Sequence, residues 1–118
     1  MIINGVSLKE LDFTDADLLD RIDKKSEEVL KQCEELEKVK ETIKPAEGIR
    51  QECKILKDFL DYVFEDNVSE KVFGNKNSLR DCLKAYEDII KERNRQIDNL
   101  QNVVDTYSPQ RIKRWIYY

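Results

Sequence analysis

From Leu19 onwards the apolar positions of this chain recur at alternating intervals of three and four residues. Leu19, Ile22, Val29, Cys33, Leu36 and Ile43 share one helical face, with Ser26 and Lys40 as polar interruptions of the same seam. That spacing predicts a coiled-coil-like helix over residues 15–44. Thr14 stands where its side chain can cap the amide of Asp17, Phe13 and Leu18 occupy the two positions of a hydrophobic staple, and Pro45 predicts the stop. A shorter second helix is predicted over residues 46–64, with Ile49, Cys53, Leu56, Phe59, Leu60 and Val63 on one face. Ser78, with Asp81 three residues on, opens a third over residues 78–107. Its seam runs through Leu79, Leu83, Tyr86, Ile90, Arg93, Ile97, Leu100, Val104 and Tyr107 before Pro109 ends it.

Three segments lie outside this periodicity: an N-terminal arm over residues 1–13, a corner over 65–77 and a tail over 108–118. Asn4-Gly5 inside the arm favours a tight turn, so a small hairpin or an extended arm is expected there. The expectation is one all-α domain: a three-helix antiparallel bundle with long, coiled-coil-like helices. At a rise of 1.5 Å per residue the first and third helices are roughly 45 and 42 Å long and the second only about 27 Å. The middle helix cannot cover both partners, so the seam ends around Leu19 and Ile22 and around Ile97, Leu100 and Val104 are the expected self-association surface.

Composition agrees with long helices carrying wet outer faces: 39% of the 118 residues are charged, and there are only three glycines and two prolines. The net charge of −4 is unevenly spread. Residues 1–44 hold 8 basic and 12 acidic groups, 45–74 hold 4 and 7, and 75–118 hold 9 and 6. This asymmetry suits antiparallel helices or head-to-tail subunits and argues against a general nucleic-acid binder. The three cysteines, Cys33, Cys53 and Cys82, are far apart at or beside apolar helical positions, which reads as buried thiols rather than a disulfide framework or a zinc site. No secretory signal or long apolar run is seen, so a soluble, cytoplasmic protein without membrane contact is expected.

Catalytic chemistry is hard to build from these residues. There are no histidines, which removes Ser-His, Cys-His and Glu-x-x-His arrangements, and no glycine-rich phosphate loop. The acidic cluster Asp12, Asp15, Asp17, Asp20 and Asp23 lacks the glycine and closing glutamate of a calcium loop and suits the start of a helix instead. No catalytic residue, metal or cofactor is expected. The tail interleaves Arg111, Lys113 and Arg114 with Trp115, Ile116, Tyr117 and Tyr118. It reads as a segment that folds back or docks on a neighbouring chain, with Trp115 and Tyr117 as candidate protein-binding residues and nucleic acid as the lesser alternative.

The corner carries a resemblance. An aromatic helix end (FLDYVF, residues 59–64), an acidic tip (Glu65-Asp66-Asn67), SEKVFG (69–74) and the helix opening NSLRDCLKAYEDII (77–90) resemble the small tail assembly chaperones of long-tailed bacteriophages and prophages of Gram-positive hosts. The opening IINGVSLKELDFTDAD (2–17) is similar to theirs as well. Members of that group carry a tip of the form phenylalanine, glycine, acidic residue, glycine, whereas here Phe64 is followed by Glu65, Asp66 and Asn67. The resemblance implies a non-catalytic, self-associating assembly factor that binds the tape measure protein, helps recruit tail tube subunits, and works in the host cytoplasm without remaining in the mature virion. It makes Phe64, Val72 and Phe73 candidate docking residues, the alternative being that they plug the end of the bundle. A coiled-coil adaptor or scaffold from another system is the second functional reading.

Overall fold

The computed structural model describes residues 1–107, which are mostly helical with one two-stranded sheet. Strands β1 (Ile2–Ile3) and β2 (Val6–Ser7) pair antiparallel, Ile3 opposite Val6. Asn4 at φ 48° and Gly5 at φ 82° supply the left-handed pair that a two-residue hairpin turn demands. The hairpin is anchored by Ile3, fully buried, and by Asn4, whose side-chain amide donates to the Asp81 carbonyl (3.0 Å).

Helix α1 (Ala16–Val39) starts one residue later than its expected cap allows. Asp15 is the N-cap and accepts from the Asp17 amide (2.9 Å), while Thr14 instead bonds back to Asp12 through its hydroxyl and amide. The α-helix also stops short of Lys44. A single 3-10 turn covers Lys40–Thr42, then Ile43 and Lys44 are extended, because a residue preceding proline is driven out of the helical region. Helix α2 (Pro45–Phe64) begins on Pro45 itself, whose missing N–H costs nothing at the first helical position.

The corner holds a further helix, α3 (Val68–Phe73), between α2 and α4 (Leu79–Asp98). This short helix changes the topology. Arg21 and Lys25 of α1 both lie 5.1 Å from the Tyr62 ring of α2, near the start of one helix and the end of the other, so α1 and α2 are antiparallel. Along α2 and α4, however, Cys53 meets Cys82 and Phe59 meets Tyr86 (ring centroids 4.8 Å), so both helices run the same way. The reversal is made by α3, which starts beside Asp61 and ends with Phe73 under Lys57. The all-antiparallel bundle expected from three helices is thereby corrected: a six-residue element does the work assigned to a loop.

The core is one cluster in which Ile3, Leu11 and Phe13 of the arm join Ile22 and Val29 of α1, Leu56, Phe59, Leu60, Val63 and Phe64 of α2, and Cys82, Ala85 and Ile89 of α4. The buried face of α4 is rotated by about one residue from the expected seam. Cys82, Ala85 and Ile89 are buried, Leu79, Tyr86 and Ile90 are half-buried, and Leu83 is 43% exposed. Small residues at 82 and 85 let α4 approach α2 and the arm together, which a Leu83-centred face would prevent. The third expected helix is also interrupted: α4 ends at Asn99, in the bridge region at φ −88° and ψ 0°, and α5 (Leu100–Tyr107) continues from it. Principal-axis extents of 69 × 29 × 19 Å describe a rod rather than a ball.

Candidate functional site

The corner is a stack of local solutions. Asp61, in the last turn of α2, accepts from both the amide (2.8 Å) and the hydroxyl (2.7 Å) of Ser69, and so satisfies a first-turn amide of α3 that has no partner within the helix. Glu65 caps α2 in the left-handed region at φ 54°, ψ 35°, its amide bonded to the Asp61 carbonyl. A side chain with a Cβ is strained there and glycine is not. Asp66 pairs with Lys71 (2.8 Å), which with the Asn67 amide holds its carboxyl below the usual carboxylate range. Lys57 donates to Asn77 Oδ1 (3.0 Å) and caps the Lys76 carbonyl (2.5 Å) over the Phe73 ring.

Within this frame Phe64 is fully buried and Phe73 is 8% exposed; only Val72 of the three candidate docking residues keeps partial exposure. Phe64 and Phe73 are therefore core side chains that close the corner, because α3 folds down over them. The accessible aromatic of the region is Tyr62, 39% exposed, whose ring carries Arg21 and Lys25 and whose carbonyl accepts from Arg21. Arg21 also reaches Glu65 (3.2 Å). An open cleft of about 480 Å³ lies between this corner and the arm, lined by Leu8 and Lys9 on the arm side and by Phe64, Glu65, Asp66 and Lys71 on the corner side.

The expected self-association residues divide. Ile22 is fully buried and Leu19 half-buried, so the α1 end of that seam is consumed inside the monomer. Ile97 is half-buried, whereas Leu100 (38%) and Val104 (39%) are exposed on α5, with Tyr107 (81%) on the same face. Trp115 and Tyr117 lie outside the described residues. At the opposite end of the rod a second open cleft, about 420 Å³, lies between the end of α1 and the start of α2, floored by Leu36, Pro45 and Ile49 and rimmed by Glu37, Lys40 and Glu52. Leu30 (59%) and Val39 (44%) are exposed on that half of α1.

Sequence reasoning passed over the residues that tie the arm down. Gln96 accepts from the Phe13 amide (2.7 Å) and donates to the Leu11 carbonyl (2.8 Å) and to Glu92 (2.9 Å). Arg95 with Gln96 lowers the Glu92 carboxyl to about 2. One signal was present: a glutamine beside the apolar Ile97 and one turn after Glu92 suits a buried bridging role. Among the thiols, Cys53 and Cys82 are buried against each other and Cys33 is half-buried; burial, with the neighbouring Cys53, pushes Cys82 up to about 12. Among the described residues no cluster of three or more histidine, cysteine or carboxylate side chains is arranged to hold a metal, and no helix is long and apolar enough to cross a membrane.

Fold and surfaces together define a small, mostly helical protein with an N-terminal hairpin and a helix that projects beyond its core. The chain belongs to a family of unknown function, DUF6673, whose model matches residues 4–117. No curated protein and no solved structure matches it.

Proposed function

We propose that this protein is a non-catalytic tail assembly chaperone of a long-tailed phage or prophage, which binds the tape measure protein, helps recruit tail tube subunits in the host cytoplasm and self-associates. One observation carries the reading. Glu65 follows Phe64 in left-handed backbone, at the position where the chaperones that this corner resembles carry glycine, so the geometry their glycine permits is the geometry adopted here.

The surfaces suit such a role. A tape measure protein is a long helical chain prone to aggregate, and a carrier for it needs apolar positions on rigid helices with charged surroundings. Leu30, Val39 and Ile49 offer that on the half of the rod where α1 turns into α2, and Tyr62 and Val72 offer it at the corner. With Phe64 and Phe73 closing the core, the docking role at the corner passes to Val72 and Tyr62. The test is a pull-down with the tape measure protein and then with the tube protein of the same phage or prophage: retention of the tape measure protein, weakened by Leu30→Asp with Val39→Asp, is expected. Recovery of neither protein overturns the reading.

A further inference from the structure

We propose that α5 pairs antiparallel with α5 of a second copy of this chain, about a two-fold axis midway between Leu100 and Val104. The inference deepens the self-associating part of the proposed function by naming the surface, the partner and the geometry.

Among the described residues helix α5 has no long helix packed along it, and its exposed residues form a stripe. Ile97, Leu100, Val104 and Tyr107 are separated by three, four and three residues, and Leu100, Val104 and Tyr107 are exposed. That interval series reads the same in both directions. Laid antiparallel on itself, the stripe puts Ile97 against Tyr107 of the partner and Leu100 against Val104, with every seam residue meeting a seam residue, as a two-fold interface requires.

The flanks of the stripe say what kind of partner fits. The residues beside the exposed stripe are Gln101 and Val103, and neither is charged. About that axis Gln101 and Val103 each face the same residue of the partner, so a charge at either would face itself; helices that select a different partner encode the choice in flanking charges. Charges on this segment, Arg95, Asp98 and Asp105, stand away from the seam on the outer side of the helix.

Sterics select the direction. Gln96 is bonded to Leu11 and Phe13, so the body begins at the level of Ile97. In a parallel pair two bodies with a second-largest extent of 29 Å would stand side by side on helices roughly 8–10 Å apart. Antiparallel pairing puts them at opposite ends.

The test uses the full chain with Cys33→Ser, leaving the buried Cys53 and Cys82 in place. Leu100→Cys and Val104→Cys proteins are prepared separately, mixed and exposed to oxidised glutathione. The mixture is expected to give a disulfide-linked heterodimer in several-fold excess over the linked product of either protein alone. Equal or greater linking of each alone overturns the antiparallel geometry. In light scattering the unsubstituted chain is expected to show a concentration-dependent dimer, and Leu100→Lys to weaken it at least about tenfold with helical content unchanged. A monomer at concentrations on the order of 1 mM, or a dimer indifferent to Leu100→Lys, overturns the proposal. Capture of the tape measure protein by the Leu100→Lys chain reads the chaperone function separately, so the two can fail independently.

Discussion

Arg93 on α4 grips Asp23 on α1 through two parallel hydrogen bonds, Nε to Oδ1 at 2.9 Å and Nη2 to Oδ2 at 3.0 Å, seventy residues apart in the chain. Among the described residues it is the ion pair that joins α1 directly to α4. Arg93 sits in the expected seam of the third helix as a polar interruption, and the structure gives that interruption a partner. The pair is partly exposed, so its worth is modest. A double-mutant cycle with Arg93→Ala and Asp23→Ala, followed by urea unfolding, is expected to give a coupling of about 1 kcal/mol that shrinks in high salt. A coupling indistinguishable from zero at low salt contradicts this.

Glu65 is held in left-handed backbone, and its pairing with Arg21 is too exposed to offset that strain. Glu65→Gly is therefore expected to be more stable than Glu65→Ala by about 1 kcal/mol in thermal or chemical unfolding. Comparing the two substitutions removes the ion pair from both, so the difference reports the backbone alone. Equal stabilities would show that the cap relaxes without cost.

Ser26 lies in the α1 seam with its hydroxyl buried, and it has no hydrogen-bond partner among the described residues. Removing an unsatisfied buried hydroxyl is favourable, so Ser26→Ala is expected to stabilise the protein by about 1 kcal/mol. A polar residue inside such a seam can instead set the register of packing at a cost in stability, and a loss of stability in Ser26→Ala would assign Ser26 that role.

Glu92 connects the pH to the arm. Its carboxyl sits at about 2 in the folded chain against an ordinary value of 4.5, so the stabilisation it supplies is complete above pH 4.5 and is lost as pH falls from there towards 2. Protonation removes an acceptor from Gln96, which bonds Phe13 and Leu11. Amide exchange at Phe13 is expected to accelerate over that window, and Gln96→Ala to produce the same acceleration at neutral pH with a loss of about 1–2 kcal/mol. Unchanged protection of Phe13 in Gln96→Ala would contradict the clamp.

Much of the helical layout was legible because the cues were local. The Asn4-Gly5 turn, the break between the first two helices at Pro45 and the Ser78 cap each act over three or four residues, and the seams of α1 and α2 repeat over many turns. What escaped was set by distant contacts. The direction of α4 depends on α3, whose six residues are stabilised by Asp61 reaching Ser69 and not by periodicity. The rotation of the α4 face follows from the arm packing beside α2, which no helical pattern contains. Phe64 and Phe73 looked equally suited to a core and to a docking surface until the fold of α3 placed them inside. The break at Asn99 rests on one residue in the bridge region, within a seam that is apolar on both sides of it.

The proposed chaperone role requires this chain to keep a tape measure protein soluble, and co-expression of the two proteins reads that out. Expressed alone, the tape measure protein is expected in the pellet; with this chain it is expected in the supernatant, eluting as a complex holding several copies of the chain per tape measure protein by light scattering. A tape measure protein that pellets to the same extent with and without this chain, while the chain itself remains soluble and helical, would contradict the claim.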